Sequence, residues 1–236
     1  MLKLLSVLGI VWLWDRFRMS LDISNIFSVA QQINFTDEEL IRKIKKGEKE
    51  LFAQIVERYS QKMYKYMYHY FNFQGAIAED IVQDIFVKLR EKLGKYNSQQ
   101  KFSSWLYRFA HNYTIDWIRK HKKDESVQAF SHVLWDRDEK WHNFADNFVV
   151  SDVDILDTMH HDIKSEVLKH LLEGLDDKYK DVVLLFYFEQ MSYDEIAYIL
   201  DIKPDHVGTL LLRAKKKIKK IVESDPQLKE MIDFDL

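Results

Sequence analysis

Six glycines and two prolines are all that punctuate a chain of 236 residues. Ordinary usage would supply roughly three times as many. Sandwiches and barrels need such residues at nearly every corner, so an all-β fold is disfavoured, as are collagen-like and Pro-rich architectures. Hydrophobic residues make up 47% of the chain, which excludes wholesale disorder. The expected fold class is therefore all-α.

Helix signals come in a regular order. Thr36-Asp37-Glu38-Glu39 reads as a capping box opening a helix over 37–46, with Gly47 as its stop. A second helix over 48–70 carries Leu51, Phe52, Ile55, Val56, Tyr59, Met63 and Tyr66 at helical spacing. A third runs over 76–93 between Gly75 and Gly94, with Ile77, Ile81, Val82, Ile85, Phe86, Leu89 and Leu93 as its stripe. The fourth spans 102–121, and its stripe of Phe102, Trp105, Leu106, Phe109, Ala110, Tyr113 and Trp117 predicts the buried face. Ser104, Tyr107, Arg108, His111, Arg119 and Lys122 then fall on its exposed face. These four helices form one expected bundle, 36–123.

The apolar run Leu2–Trp14 is shorter than the roughly 20 residues a spanning helix needs. The Asp15-Arg16-Phe17-Arg18 that follows does not suit signal-peptide cleavage. An extension over 1–35 is expected, either packed on the body or a consequence of start-site choice at Met1 rather than Met19, in preference to a membrane anchor. Absence of cysteine excludes disulfides and thiol chemistry and suits a reducing compartment, so a cytoplasmic location is expected.

Net charge is only −3, from 35 Lys+Arg against 38 Asp+Glu, but the charges are partitioned. Residues 124–166 hold eleven acids and three bases, together with Phe130, Trp135, Trp141, Phe144 and Phe148. That composition predicts an acidic, docking-competent linker over 124–162. The segment 101–123 carries six bases against Asp116, and Arg213–Val222 carries six bases and no acid. A second small domain is expected over 163–224, then a tail over 225–236. The apolar run Val182–Phe188 suits either a buried helix or a strand by periodicity, and its helical neighbours decide for helix.

Ser192-Tyr193-Asp194-Glu195 is a second capping box, opening a short helix that ends at Leu200. Asp201-Ile202-Lys203 is a tight turn, with Asp201 standing where glycine is common and tolerating a left-handed backbone. Pro204 occupies a first helical position. Ile196, Ala197, Leu200, Ile202, Val207 and Leu211 are spaced as the core of a helix-turn-helix. With Val207, Leu211, Ala214 and Ile218 inward, the opposite face presents Asp205, Thr209, Leu212, Arg213 and Lys216, flanked by His206 and Lys220. Lys217 belongs to the same basic stripe, which suits phosphate contact on duplex DNA.

Two stretches carry a family resemblance. Ala78–Tyr96 with Phe102–Lys123 resembles the second region of extracytoplasmic-function sigma factors, and Leu171–Ile202 with its basic helix resembles their fourth region. What the resemblance implies is a specificity subunit of bacterial RNA polymerase built from two small helical domains on an acidic linker. It would bind core polymerase and promoter DNA, melted at the −10 element and duplex at the −35 element, with scope for an anti-sigma factor as a further partner. Asp80, Gln83 and Asp84 match the family's polymerase-facing segment. The loop Lys95–Lys101 matches its −10 base-reading loop, so Tyr96, Asn97 and Ser98 would hold an extruded base. Asn112, Asp116 and Arg119 match its fourth-helix pattern, and Asn112 and Arg119, with Arg108, His111 and Lys122, would be −10 contacts. Asp205, His206, Thr209, Leu212, Arg213, Lys216, Lys217 and Lys220 would serve the −35 duplex.

Two departures stand out: Leu175-Asp176 replaces the family's frequent Leu-Pro, and Val207-Gly208-Thr209-Leu210 replaces its frequent Val-Lys-Ser-Arg. The second leaves −35 base preference open. The competing reading keeps the helix-turn-helix but gives the first bundle a sensing or dimerising role without polymerase. Catalysis has little to stand on, because His132, His142, His160 and His161 lie in a polar linker without a partner helix or phosphate loop. No catalytic residue, metal ligand, cofactor or small-molecule substrate is expected.

Overall fold

The computed structural model describes residues 35–121 and 165–233, and every regular element in them is helical. The expectations for the N-terminal extension and the acidic linker fall outside the described residues. Two compact units divide at Val56/Glu57.

The first unit contains α1 (Asp37–Lys45), a 3-10 turn (Lys49–Leu51) and the start of α2 (Phe52–Tyr70). Thr36 caps α1 in both directions: Glu39 N donates to Thr36 Oγ1 at 3.3 Å, and Thr36 N donates to Glu39 Oε2 at 2.9 Å. Gly47 stops the helix at φ +116°, a conformation that favours glycine. Leu40 and Ile41 are the buried positions of α1.

In the second unit α2 continues, followed by α3 (Gly75–Lys92) and α4 (Phe102–Lys120). The stripe of α3 is buried as its spacing predicts: Ile81, Ile85 and Leu89 are fully enclosed. Phe102 is a hub, with Tyr59 and Tyr96 meeting it edge-on at 5.6 and 5.5 Å. Beyond α4 come α5 (Ser165–Glu173), α6 (Asp177–Val183), α7 (Tyr193–Leu200), α8 (Pro204–Ser224) and α9 (Pro226–Asp233). The run Val182–Phe188 is helical, but its second half, Leu184–Phe188, is a π turn closed by Glu189 N donating to Leu184 O at 3.1 Å. Part of the expected tail is helix α9.

The expected division into 36–123 and 163–224 does not coincide with the compact units. α4 packs directly on α7, and the helices before and after the linker form one body. This corrects the expected exposed face of α4. Ser104, Tyr107 and His111 are buried there, beneath α6 and α7.

Candidate nucleic-acid and polymerase interface

α7 and α8 form the expected helix-turn-helix. Ser192 caps α7 by accepting from Glu195 N at 3.3 Å, while Glu195 Oε2 accepts from Ser192 N at 3.0 Å. The turn residue Asp201 is left-handed at φ 59°, ψ 42°, as a tight reversal requires. Lys203 precedes Pro204, the first residue of α8. Ile196, Ala197, Leu200, Val207 and Leu211 are buried between the helices, and Ile202 lies half-buried at their edge.

On α8, Asp205, Lys216 and Lys220 are exposed, and His206, Thr209, Leu212 and Arg213 are half-buried around the same face. Thr209 Oγ1 donates back to Asp205 O at 3.3 Å, inside the helix. Lys217 points elsewhere: its Nζ sits 2.7 Å from Asp176 Oδ2 and 5.9 Å from the centre of the Tyr179 ring, so it ties α8 to the start of α6. Gly208 is helical, and a Cβ there would meet only Tyr193 Cε2 at 3.4 Å.

On α3, Asp80 and Asp84 are exposed and Gln83 is half-buried, on one flank of the helix with Val87, which is 40% exposed. Tyr113 on α4 donates its hydroxyl to Asp84 Oδ2 at 2.8 Å. Partial burial, then this bond and the carboxylate charge, push the Tyr113 phenol above its ordinary range. This fixes one acid of the patch against the neighbouring helix and leaves Asp80 turned to solvent.

The loop between α3 and α4 differs from expectation at one position. Tyr96 is 4% exposed, its hydroxyl donates to Gln100 O, and its ring packs on Phe102 and Trp105. A ring so enclosed is a core residue of the loop rather than a stacking platform. Asn97 and Ser98 are exposed, and Asn97 Oδ1 accepts from Gln99 N at 3.2 Å, shaping the loop as an Asx turn.

Along α4, Asn112 and Arg119 are exposed, and Arg119 pairs with Asp116 at 3.2 Å. Arg108 is half-buried, held by Tyr198 O at 2.7 Å and Asp201 Oδ1 at 2.9 Å. His111 is 7% exposed, 3.6 Å from Asp181 Oδ2. Lys122 lies outside the described residues. Trp105, Phe109, Tyr113 and Trp117, expected in the core, are only half-buried. They form an i, i+4 ridge on which the Trp105 and Phe109 rings stack at 5.9 Å and Trp117 stacks on His121 at 4.2 Å. The signal for this ridge was in the sequence, as four aromatics at strict four-residue spacing beside bases. Such a surface suits unpaired bases, which stack on aromatic rings.

Comparison with known proteins places both halves. The sigma-70 region 2 family matches residues 55–124, and the sigma-70 region 4 family matches residues 165–218. The fold and its two faces thus define a two-region, sigma-70-type initiation factor. The ECF RNA polymerase sigma factor SigW of Bacillus subtilis is 32% identical over 192 residues, covering 76% of this chain and 93% of that protein. The ECF RNA polymerase sigma-E factor of Escherichia coli K12 is 24% identical, covering 80% and 95%. The chain belongs to the extracytoplasmic-function sigma factors of bacterial RNA polymerase. Among solved structures, CnrH in complex with the cytosolic domain of CnrY shares the fold at TM-score 0.55 and 20% identity, over 80% of this chain and 98% of that one. The sigma factor RpoE in complex with the anti-sigma factor NepR from Bartonella quintana does so at 0.51 and 16%, over 74% and 98%. Among the described residues no helix is long and apolar enough to cross a membrane.

Proposed function

We propose that the chain directs bacterial RNA polymerase to its promoters by dividing the work between its two helical regions. The flank of α3 that carries Asp80, Gln83 and Asp84 docks on core polymerase, with Val87 as an apolar contact beside the acids. Asn97, Ser98, Asn112, Arg119 and the ridge from Trp105 to Trp117 take the opened −10 strand, with stacking and backbone neutralisation both available. The face of α8 that carries Thr209, Leu212, Arg213, Lys216 and Lys220 enters the −35 major groove. The observation that carries this reading is the helix-turn-helix, with its left-handed Asp201 and basic reading face, in one chain with a basic, aromatic-ridged α4.

The two solved structures named above are held in complexes, one with the cytosolic domain of CnrY and one with the anti-sigma factor NepR. We infer that this chain likewise answers to an anti-sigma protein, acts in the cytoplasm beside polymerase, and catalyses no reaction of its own. Run-off transcription with core polymerase on genomic fragments tests the proposal. Transcripts that begin at defined sites only when this chain is added are expected. Failure to confer initiation, with core enzyme active on a control factor, overturns it.

A further inference from the structure

Gly208 is the one position where α8 has no side chain to present, and the space beside it is taken by another helix. Tyr193, the first residue of α7, is 43% exposed, which among the described residues only Val87 approaches for a large hydrophobic side chain. Its ring is held in place by Phe186 of the π turn, which meets it edge-on at 5.5 Å. Tyr193 Cε2 stands 3.4 Å from where a Cβ of residue 208 would be, so the ring lies against the bare backbone of α8. At about 100° per residue, Gly208, Leu212, Asp205 and Thr209 follow one another around a single side of that helix, with His206 nearly opposite Gly208. Leu212 and Thr209 are half-buried there, and Asp205 is exposed. Thr209 spends its hydroxyl proton on Asp205 O at 3.3 Å, which leaves it a methyl and no donor to offer a base. An apolar patch without positive charge therefore runs from the Tyr193 ring across Gly208 to Leu212 and the Thr209 methyl. Asp205 borders it and would repel a phosphate, and the cations of the face begin only at Arg213, with Lys216 and Lys220 beyond.

We infer that this patch selects thymine in the −35 duplex, the C5-methyl groups of adjacent bases seating on the Tyr193 ring, Gly208 and Leu212. This rests on the assignment of α8 to the −35 major groove. The first turns of a recognition helix meet base edges, and in the major groove thymine alone presents an apolar group there. The other bases are told apart by donors and acceptors, which neither leucine nor glycine can match. A lysine or arginine at 208 would reach for a guanine or a phosphate, and its side chain would have to pass the Tyr193 ring. Glycine there removes the cation and lets α7 add an aromatic ring to a surface that otherwise belongs to α8. The departure at Val207-Gly208-Thr209-Leu210 thereby exchanges a charged contact for a methyl-binding one.

The full chain, carried on a tag and mixed with core polymerase, selects duplexes from a random-sequence library. Thymine is expected at adjacent positions of the enriched duplexes. Replacing each such thymine in turn by deoxyuridine, which lacks only the methyl, is expected to weaken binding about fourfold for every methyl contacted. The ratio between thymine and uracil duplexes is read for one protein at a time, so partial loss of folding in a variant cancels. Tyr193→Ala should reduce that ratio and Leu212→Ala should bring it close to one. Lys216→Gln should weaken both duplexes and leave the ratio as it is. Equal binding of thymine and uracil duplexes by the unaltered chain overturns the inference, as does enrichment of no sequence at all, or a ratio that survives Tyr193→Ala and Leu212→Ala together. If run-off transcription succeeds and the ratio is one, the methyl reading alone falls. If run-off fails and the ratio is fourfold, the methyl reading stands without the polymerase reading.

Discussion

Glu195 is the residue whose replacement tests the structure most sharply. Its carboxylate accepts from Ser192 N at 3.0 Å and Ser192 Oγ at 2.9 Å, and from Ser104 Oγ at 3.2 Å, with Lys101 Nζ at 3.0 Å. Partial burial would raise its pKa, but the Ser192 backbone bond and then the Lys101 and Ser192 side chains outweigh burial, bringing it from 4.5 to about 2. A lowering of that size corresponds to about 3 kcal/mol of preference for the anion. Lys101 is 73% exposed, so screening trims the share that reaches stability to about 2 kcal/mol. Because the folded pKa lies below the unfolded one, this contribution is complete above pH 4.5 and is lost as pH falls toward 2. Glu195→Gln can still accept from Ser192 N but cannot hold the charge. Its expected cost is about 1–2 kcal/mol at pH 7, shrinking as pH falls to 3. Urea unfolding followed by helical circular dichroism at pH 7, 5 and 3 measures both chains. A gap between them that stays constant over that range would refute the reasoning, since only an ionic role predicts convergence. Ser192→Ala removes both the cap and one bond to the same carboxylate, so it should cost about 1 kcal/mol at pH 7 and part of that loss should also fade toward pH 3.

Other expectations follow from the same geometry. Gly208→Ala has room beside Tyr193 and should stabilise the chain by about 0.5–1 kcal/mol through helix propensity, read as a higher melting temperature. Burial, against the opposing charge of Lys180, pushes Asp177 up to about 6, so its ionisation opposes folding as pH rises from 4 through 6. Asp177→Asn should therefore melt at a higher temperature than wild type at pH 7.5 and at a similar one at pH 4. Lys216→Gln with Lys220→Gln should lower the salt slope of duplex binding by about 2 and weaken binding evenly across sequences, in titrations at several salt concentrations.

Much of this was legible in the chain because local rules and tertiary packing agree. Both capping boxes open helices at Thr36 and Ser192, and Asp201 takes the left-handed turn its side chain tolerates. The faces of α4 were less legible. Periodicity finds an apolar stripe by assuming one buried side, and α4 has two. Ser104, Tyr107 and His111 are enclosed because Glu195, Glu189 and Asp181 satisfy or face them from elements 70 or more residues away, and no local pattern announces such partners. That second contact rotates the helix in its surroundings and leaves Trp105 through Trp117 at the surface. Tyr96 was misplaced for a related reason. Its position in a polar loop suggested exposure, whereas Phe102 and Trp105 supply a pocket for the ring. The reach of Lys217 toward Asp176 likewise depends on where α6 starts against α8.

The π turn at Leu184–Phe188 carries a consequence for how this chain can change over evolutionary time. A π turn is an α-helix with one residue inserted, and each inserted residue rotates all that follows by about 100°. Here everything that follows is the DNA-reading module. Removing one residue between Val183 and Glu189 would let the segment close as a regular α-helix, but Leu184, Leu185 and Tyr187 are all enclosed, so it would also move buried side chains. It would swing Glu189 and the start of α7 about a quarter turn relative to Lys180 and Asp181. A one-codon deletion there would re-register buried side chains and re-aim the chain where it leaves for α7.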